Sequence, residues 1–220
     1  MKHIKNKKSS AKIDEIPASA GTNLLIIFTK NPIPGKCKTR LAKTIGDVAA
    51  TEVYKVLLRH TALITEPLNT IKEVYYSDFI EADDMFQGNF VKKVQEGAHL
   101  GEKMKNAFAK AFQQGFQQVV IIGSDLLDIT TDDINEAFSV LETYDYVIGP
   151  AEDGGYYLLG MNKFNPTLFE NKDWGSNTVL QETLMDLKNE NIALLDERND
   201  IDTFEDLQEF KELIEHITNN

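Results

Sequence analysis

Leu24-Leu25-Ile26-Ile27-Phe28-Thr29, followed at once by Lys30-Asn31-Pro32-Ile33-Pro34-Gly35-Lys36-Cys37-Lys38-Thr39-Arg40, decides the fold. Six apolar or β-branched residues in unbroken succession predict a buried strand. Two prolines and a glycine then fix a turn, with four cations closely spaced through it, before a helical pattern begins. Strand, rigid cationic turn and helix N-terminus together suit a polyanionic small molecule, most often a nucleotide. A solvated basic loop is the plainer alternative. Gly35-Lys36-Cys37 lacks the glycine spacing and the Lys-Ser/Thr pair of a Walker A loop, which argues against a P-loop ATPase or GTPase.

The rest of the chain gives that cationic turn its contrast. The 220 residues carry a formal net charge of −12, which argues against nucleic acid or an acidic membrane surface as partner. Residues 1–22 hold five lysines against Asp14 and Glu15, so residues 23–220 carry −15. No apolar run follows the basic start before Asn23, so residues 1–22 are expected to be a disordered basic tail and 23–220 a single domain. The lone Cys37 excludes a disulfide within the chain and a cysteine-based zinc site, and a reducing cytoplasmic location is the default. No stretch approaches the ~20 apolar residues of a membrane span. Oligomeric state is not legible.

Beyond the first strand, two apolar periods alternate. Helices are expected at about 48–65, 100–114, 130–141, 177–189 and 203–217, and strands at 71–77, 90–94, 118–122, 144–148, 156–161 and 192–195. Such alternation predicts an α/β fold with a largely parallel sheet covered on both faces. Ligands of such folds bind beyond the carboxyl ends of the strands. There lie Lys36, Lys38 and Arg40, in a loop expected to face solvent, then Asp125, and then Glu152-Asp153-Gly154-Gly155.

A carboxylate closing a buried strand is costly unless paired or bound to a cation, which makes Asp125 a candidate ligand for Mg²⁺ or Mn²⁺. The segment Asp200-Ile201-Asp202-Thr203 is the leading source of a second carboxylate. Asp125 can equally serve as a turn or cap residue, and Asp202-Thr203-Phe204-Glu205 can equally open a helix. Glu152 and Asp153 stand before a glycine pair that admits close backbone approach, and Tyr156 and Tyr157 follow. Acids facing hydroxyl groups beside an aromatic face suit a sugar or polyol, whereas Asp153-Gly154 is also a strong hairpin signal. Trp174, the only tryptophan, can stack on a ring or anchor the core. His99 can be a base, though a structural role is commoner.

Taken together, residues 28–42, Gly123-Ser124-Asp125, the block Gly149-Pro150-Ala151-Glu152-Asp153-Gly154-Gly155-Tyr156-Tyr157-Leu158-Leu159-Gly160, Trp174 and Asp200-Ile201-Asp202-Thr203-Phe204-Glu205-Asp206-Leu207 resemble the bacterial DUF2064 family of small glycosyltransferase-like proteins, also called the radical-SAM/selenodomain-associated transferase group. The resemblance runs from about Asn23 to Phe210 and implies the Rossmann-like GT-A fold of nucleotide-diphospho-sugar transferases, with a mixed, mostly parallel sheet flanked by helices. It implies nucleotide-phosphate binding by Lys38 and Arg40, with Lys36, Pro34 and Gly35 beside them, and a divalent metal on Asp125 and Asp202. Glu152 and Asp153 would act on the acceptor, with Gly154, Gly155, Tyr156 and Trp174 around the acceptor or sugar. Leu126-Leu127 stands where family members commonly have a proline, and Trp174-Gly175-Ser176 where Trp-Ser-Thr is expected. The expected activity is glycosyl transfer from a nucleotide-diphospho-sugar to a small-molecule acceptor. Nucleotidyl transfer with pyrophosphate release is the alternative, and a non-catalytic nucleotide-binding module a third reading.

Overall fold

Seven strands form one sheet in the order β3-β2-β1-β4-β6-β5-β7 in the computed structural model of the protein, which describes residues 23–210. The basic segment 1–22 and the end of the helix expected at 203–217 lie outside the described residues. The central strand β1 (Asn23–Thr29) is the continuous apolar run, with Leu24 to Ile27 fully buried. It pairs in parallel with β2 (Ile71–Tyr76) on one side and β4 (Gln118–Ile122) on the other. On the far side of β2, β3 (Phe90–Val94) closes the edge in parallel.

The sheet becomes mixed at β6 (Tyr156–Met161), which runs antiparallel to both β4 and β5 (Tyr146–Pro150). A last short strand, β7 (Ile192–Leu194), lies parallel to β5. Those directions gather the loops. The carboxyl ends of β1, β4, β5 and β7 and the amino end of β6 all fall on one edge of the sheet. Hence the loop after β1, the Gly123-Ser124-Asp125 turn, the β5–β6 hairpin and the segment after β7 meet there.

Alternation along the strands divides the core in two. Leu25, Ile27 and Val120 pack beneath α2 (Asp47–Thr65) and α4 (Thr131–Val140), while Leu24, Ile26 and Val119 pack against α3 (Leu100–Gln113). Short helices α1 (Thr39–Ile45), α5 (Val179–Asp186) and α6 (Phe204–Glu209) complete the layers, with a 3₁₀ turn at Pro166–Phe169 that the sequence periods did not show. Thr130 starts α4 with a reciprocal capping box to Asp133. Among the described residues, no helix is long and apolar enough to cross a membrane.

Candidate functional site

The loop after β1 separates its cations by burial. Asn31 is buried and anchors the loop to the end of β2: its Oδ1 accepts from the Asp78 and Phe79 backbone N–H groups, and its side-chain amide donates to the Phe79 carbonyl. Pro34, Gly35 and Lys36 are exposed in the turn. Lys38 adopts the left-handed conformation (φ 48°, ψ 45°) at the start of α1, and its side chain is 4% exposed. The expectation that Lys38 faces solvent is therefore corrected. Its Nζ lies 3.3 Å from Asp125 Oδ1, 3.9 Å from Asp202 Oδ1 and 6.0 Å from the centre of the Tyr54 ring. Arg40 stays outside, 62% exposed, with Nη1 2.9 Å from Asp202 Oδ2.

Two carboxylates thus converge on one buried ammonium, and two neighbours adjoin them. Asp202 is free to point inward because Thr203 caps α6, closing a capping box with Asp206. Asp200 is half-buried; burial raises its carboxyl to about 6, with Lys38 opposing and Asp153, Asp125 and Asp202 reinforcing the rise. The Ile201 N–H donates to the Asp125 carbonyl at 3.1 Å, which ties the β4 turn to the segment after β7. Tyr54 braces the opposite side: its hydroxyl accepts from the Lys30 N–H at 2.8 Å and lies 3.0 Å from Ser124 Oγ and 3.1 Å from Thr29 Oγ1. Burial, then the Asp125 charge, raise the Tyr54 hydroxyl far above its ordinary range, so it stays neutral.

The β5–β6 connection is a hairpin, as the Asp-Gly signal allowed. Asp153 Oδ1 accepts from the Gly155 N–H at 2.8 Å, and the Gly154 N–H donates to the Ala151 carbonyl. Gly154 has φ +86°, and a Cβ there would lie 2.2 Å from the Asn177 carbonyl oxygen, so two constraints select glycine. Glu152 and Asp153 are both exposed, but Asp153 lines the cavity beside it whereas Glu152 lines neither cavity described below. Arg198 underpins the hairpin: its N–H donates to the Pro150 carbonyl and its carbonyl accepts from the Glu152 N–H. Its guanidinium reaches Asp128 Oδ2 at 3.1 Å and Asp133 Oδ1 at 2.6 Å, joining the β4–α4 loop to the same frame. His99 caps α3 through Nδ1, so its structural reading fits the geometry.

Two adjoining cavities meet at Asp125, Tyr156 and Tyr157. The one of about 310 Å³ runs over the end of β1 toward Tyr54 and Gln95. The other, about 190 Å³, runs toward Asp153, Asp200, Gly155 and Trp174. Trp174 lies against Gly101 of α3 so closely that a Cβ at Gly101 would sit 2.1 Å from the indole nitrogen. The Tyr156 hydroxyl and Trp174 Nε1 are buried without a hydrogen-bond partner among the described residues.

Sequence reasoning missed Tyr54 and Arg198 as parts of the site, and named Ser124 and Asp200 only within their motifs. Asp200 had a usable signal, since residues two apart in an extended segment share a side, and Asp202 was already singled out. Among the described residues, no group of three or more His, Cys, Asp or Glu side chains is arranged to hold a metal ion. Asp125 and Asp202 are the oxygen donors that converge. Their charge and number match the one or two carboxylates that Mg²⁺ takes alongside substrate phosphates.

Residues 69–176 match the family described as "Uncharacterized protein conserved in bacteria (DUF2064)". A protein of Desulfovibrio desulfuricans G20, described as a "putative nucleotide-diphospho-sugar transferase", is 30% identical; the match covers 89% of this chain and 98% of that one, with a TM-score of 0.78. More distant structures share the fold alone. The 4-diphosphocytidyl-2C-methyl-D-erythritol synthase of Anaerococcus prevotii DSM 20548 is 8% identical at TM-score 0.56, covering 88% of this chain and 96% of that one. A CMP:2-keto-3-deoxy-manno-octonic acid synthetase complexed with CTP is 12% identical at TM-score 0.56, covering 88% and 98%. No curated protein matches. The chain belongs to the DUF2064 family, a transferase built on the nucleotide-diphospho-sugar transferase fold.

Proposed function

We propose that the protein transfers a glycosyl group from a nucleotide-diphospho-sugar to a small-molecule acceptor, with a divalent metal held by Asp125 and Asp202. The observation that carries this reading is the convergence of Lys38, Asp125 and Asp202 where the carboxyl ends of β1 and β4 meet the two cavities. The donor's nucleoside would occupy the larger cavity, and its diphosphate would lie by Asp125, with Arg40 and Lys36 at the rim. Charge builds on the diphosphate as the sugar–oxygen bond breaks, and fixed cations there supply the largest kind of catalytic stabilisation. Mg²⁺ or Mn²⁺, when bound, would add Lewis-acid neutralisation of the same oxygens.

Acceptor chemistry falls to the smaller cavity. The acceptor oxygen bonds to the sugar's anomeric carbon, its proton passes to a wall carboxylate, and the nucleoside diphosphate leaves. Of the two acids first considered for this step, Asp153 lines the wall and Glu152 does not, so Asp153 is the better-placed proton acceptor.

One observation favours the second reading, nucleotidyl transfer. Lys36 is exposed with no ion pair among the described residues, a spare cation for a third phosphate. Incubation of the full chain and Mn²⁺ with pooled nucleotide-sugars or with NTPs, each plus an acceptor mixture, separates the two. Release of nucleoside diphosphate is the expected result, and pyrophosphate release from an NTP would transfer the proposal to the second reading. Neither product would refute both.

A further inference from the structure

The smaller cavity is chemically lopsided. Among the described residues, the charged side chains lining it are Asp125, Asp153 and Asp200, and no lysine, arginine or histidine lines it. Lys38, which pairs with Asp125 of that lining, is also engaged with Asp202, and Arg40 is engaged outside with Asp202. Leu100, Met104, Tyr156, Trp174 and Val179 give the same cavity an apolar and aromatic wall.

Two polar atoms of these residues, the Tyr156 hydroxyl and the Trp174 indole nitrogen, are buried without a hydrogen-bond partner among the described residues, and a buried donor left unpaired is costly. Both donors are neutral. Phosphate and carboxylate groups are ordinarily held by cations or by charge-assisted bonds, and this cavity offers carboxylates instead. A hydroxyl group meets no such penalty, because it can donate to a carboxylate and accept from an N–H or O–H. A sugar-like carbon face can also lie on the aromatic wall.

From this wall chemistry we infer that the acceptor is an alcohol bearing no phosphate or carboxylate, a neutral polyol or an amino alcohol, seated in the cavity that Asp153, Asp200, Tyr156 and Trp174 line. The word acceptor rests on the transferase reading; the selectivity of the cavity does not.

Trp174 is the only tryptophan in the chain, so its fluorescence reports entry into this cavity directly. The experiment titrates matched pairs into the full chain with Mn²⁺, with and without nucleotide: glycerol and glycerol 3-phosphate, inositol and inositol phosphate, ethanolamine and phosphoethanolamine. The expected result is half-maximal change at a concentration at least about ten-fold lower for the unphosphorylated member of a pair. Ser176→Lys, which adds a cation to a partly exposed position in the same wall, should narrow or invert that preference. Equal or tighter binding of the phosphorylated members by the wild type would overturn the inference, as would no response to any of the six compounds. Calorimetry of nucleotides and nucleotide-sugars on the same sample keeps the readings apart. Selectivity without nucleotide binding would remove the transferase reading and leave the cavity assignment standing.

Discussion

Replacing Lys38 by methionine removes the cation on which the site is assembled while keeping most of the stem's volume. Lys38 is 4% exposed, and its loss leaves Asp125, Asp202 and the neighbouring Asp200 facing one another without a buried countercharge. Breaking a fully buried ion pair costs roughly 3–5 kcal/mol. Asp125 and Asp202 keep 38% and 32% of their side-chain surface, so water takes up part of the loss. We therefore expect about 2 kcal/mol, which in a chain of this size lowers Tm by roughly 4–8 °C. Arg40→Ala, at a 62% exposed site, should cost less than about 1 kcal/mol although it contacts the same Asp202. Adding Asp125→Asn to Lys38→Met should return part of the lost stability, since one unpaired carboxylate is gone. The cycle should show a coupling of at least about 0.5 kcal/mol by denaturant unfolding. Mg²⁺ should also raise the Tm of Lys38→Met more than that of the wild type, because a divalent ion can replace the missing charge. A Tm for Lys38→Met within about 1 °C of wild type, or strict additivity with Asp125→Asn, would refute the reasoning.

Other consequences follow from close contacts and from one histidine. Gly154→Ala should lower Tm by roughly 4 °C or more, because it places a side chain at φ +86° and 2.2 Å from a backbone oxygen. Gly101→Ala must push the indole of Trp174 away, so its emission maximum should shift even if Tm falls little; an unchanged spectrum would show that Trp174 does not rest there. Burial lowers the His60 pKa, with the Ile129 carbonyl and Asp128 opposing. Below about pH 6.5 the unfolded chain therefore binds the His60 proton more readily than the folded one, so this residue's contribution to stability falls as pH falls. His60→Gln should lose less stability than wild type between about pH 7 and about pH 5.5; parallel curves in denaturant melts would contradict the assignment.

The sheet was legible because β1 is unbroken apolar sequence and turn residues close the later strands; β2, β3, β4 and β6 fall within a residue of their expected bounds. Strand direction was less accessible. Asp153-Gly154 signalled a hairpin and charged residues signalled a site, and one loop does both. Lys38 shows the limit of spacing arguments, since Lys36, Lys38 and Arg40 look alike in sequence. Only the left-handed backbone at Lys38 sends one of them into the interior. Tyr54 is ordinary in the helical pattern of α2, and its role depends on Ser124 lying 70 residues away. Arg198 is likewise visible only once β7 lies beside β5, which brings the following segment against Pro150 and Glu152.

The central claim, that Asp125 belongs to a metal- and phosphate-binding centre, is tested most directly by calorimetry of UDP-, GDP- and dTDP-sugars on wild type and Asp125→Asn, with and without Mn²⁺. Asparagine keeps the shape and turn capability of aspartate but lacks its charge. The account predicts Mn²⁺-dependent binding by the wild type that weakens at least about ten-fold in the variant, at a Tm within a few degrees of wild type. Full Mn²⁺-stimulated binding by Asp125→Asn would contradict it.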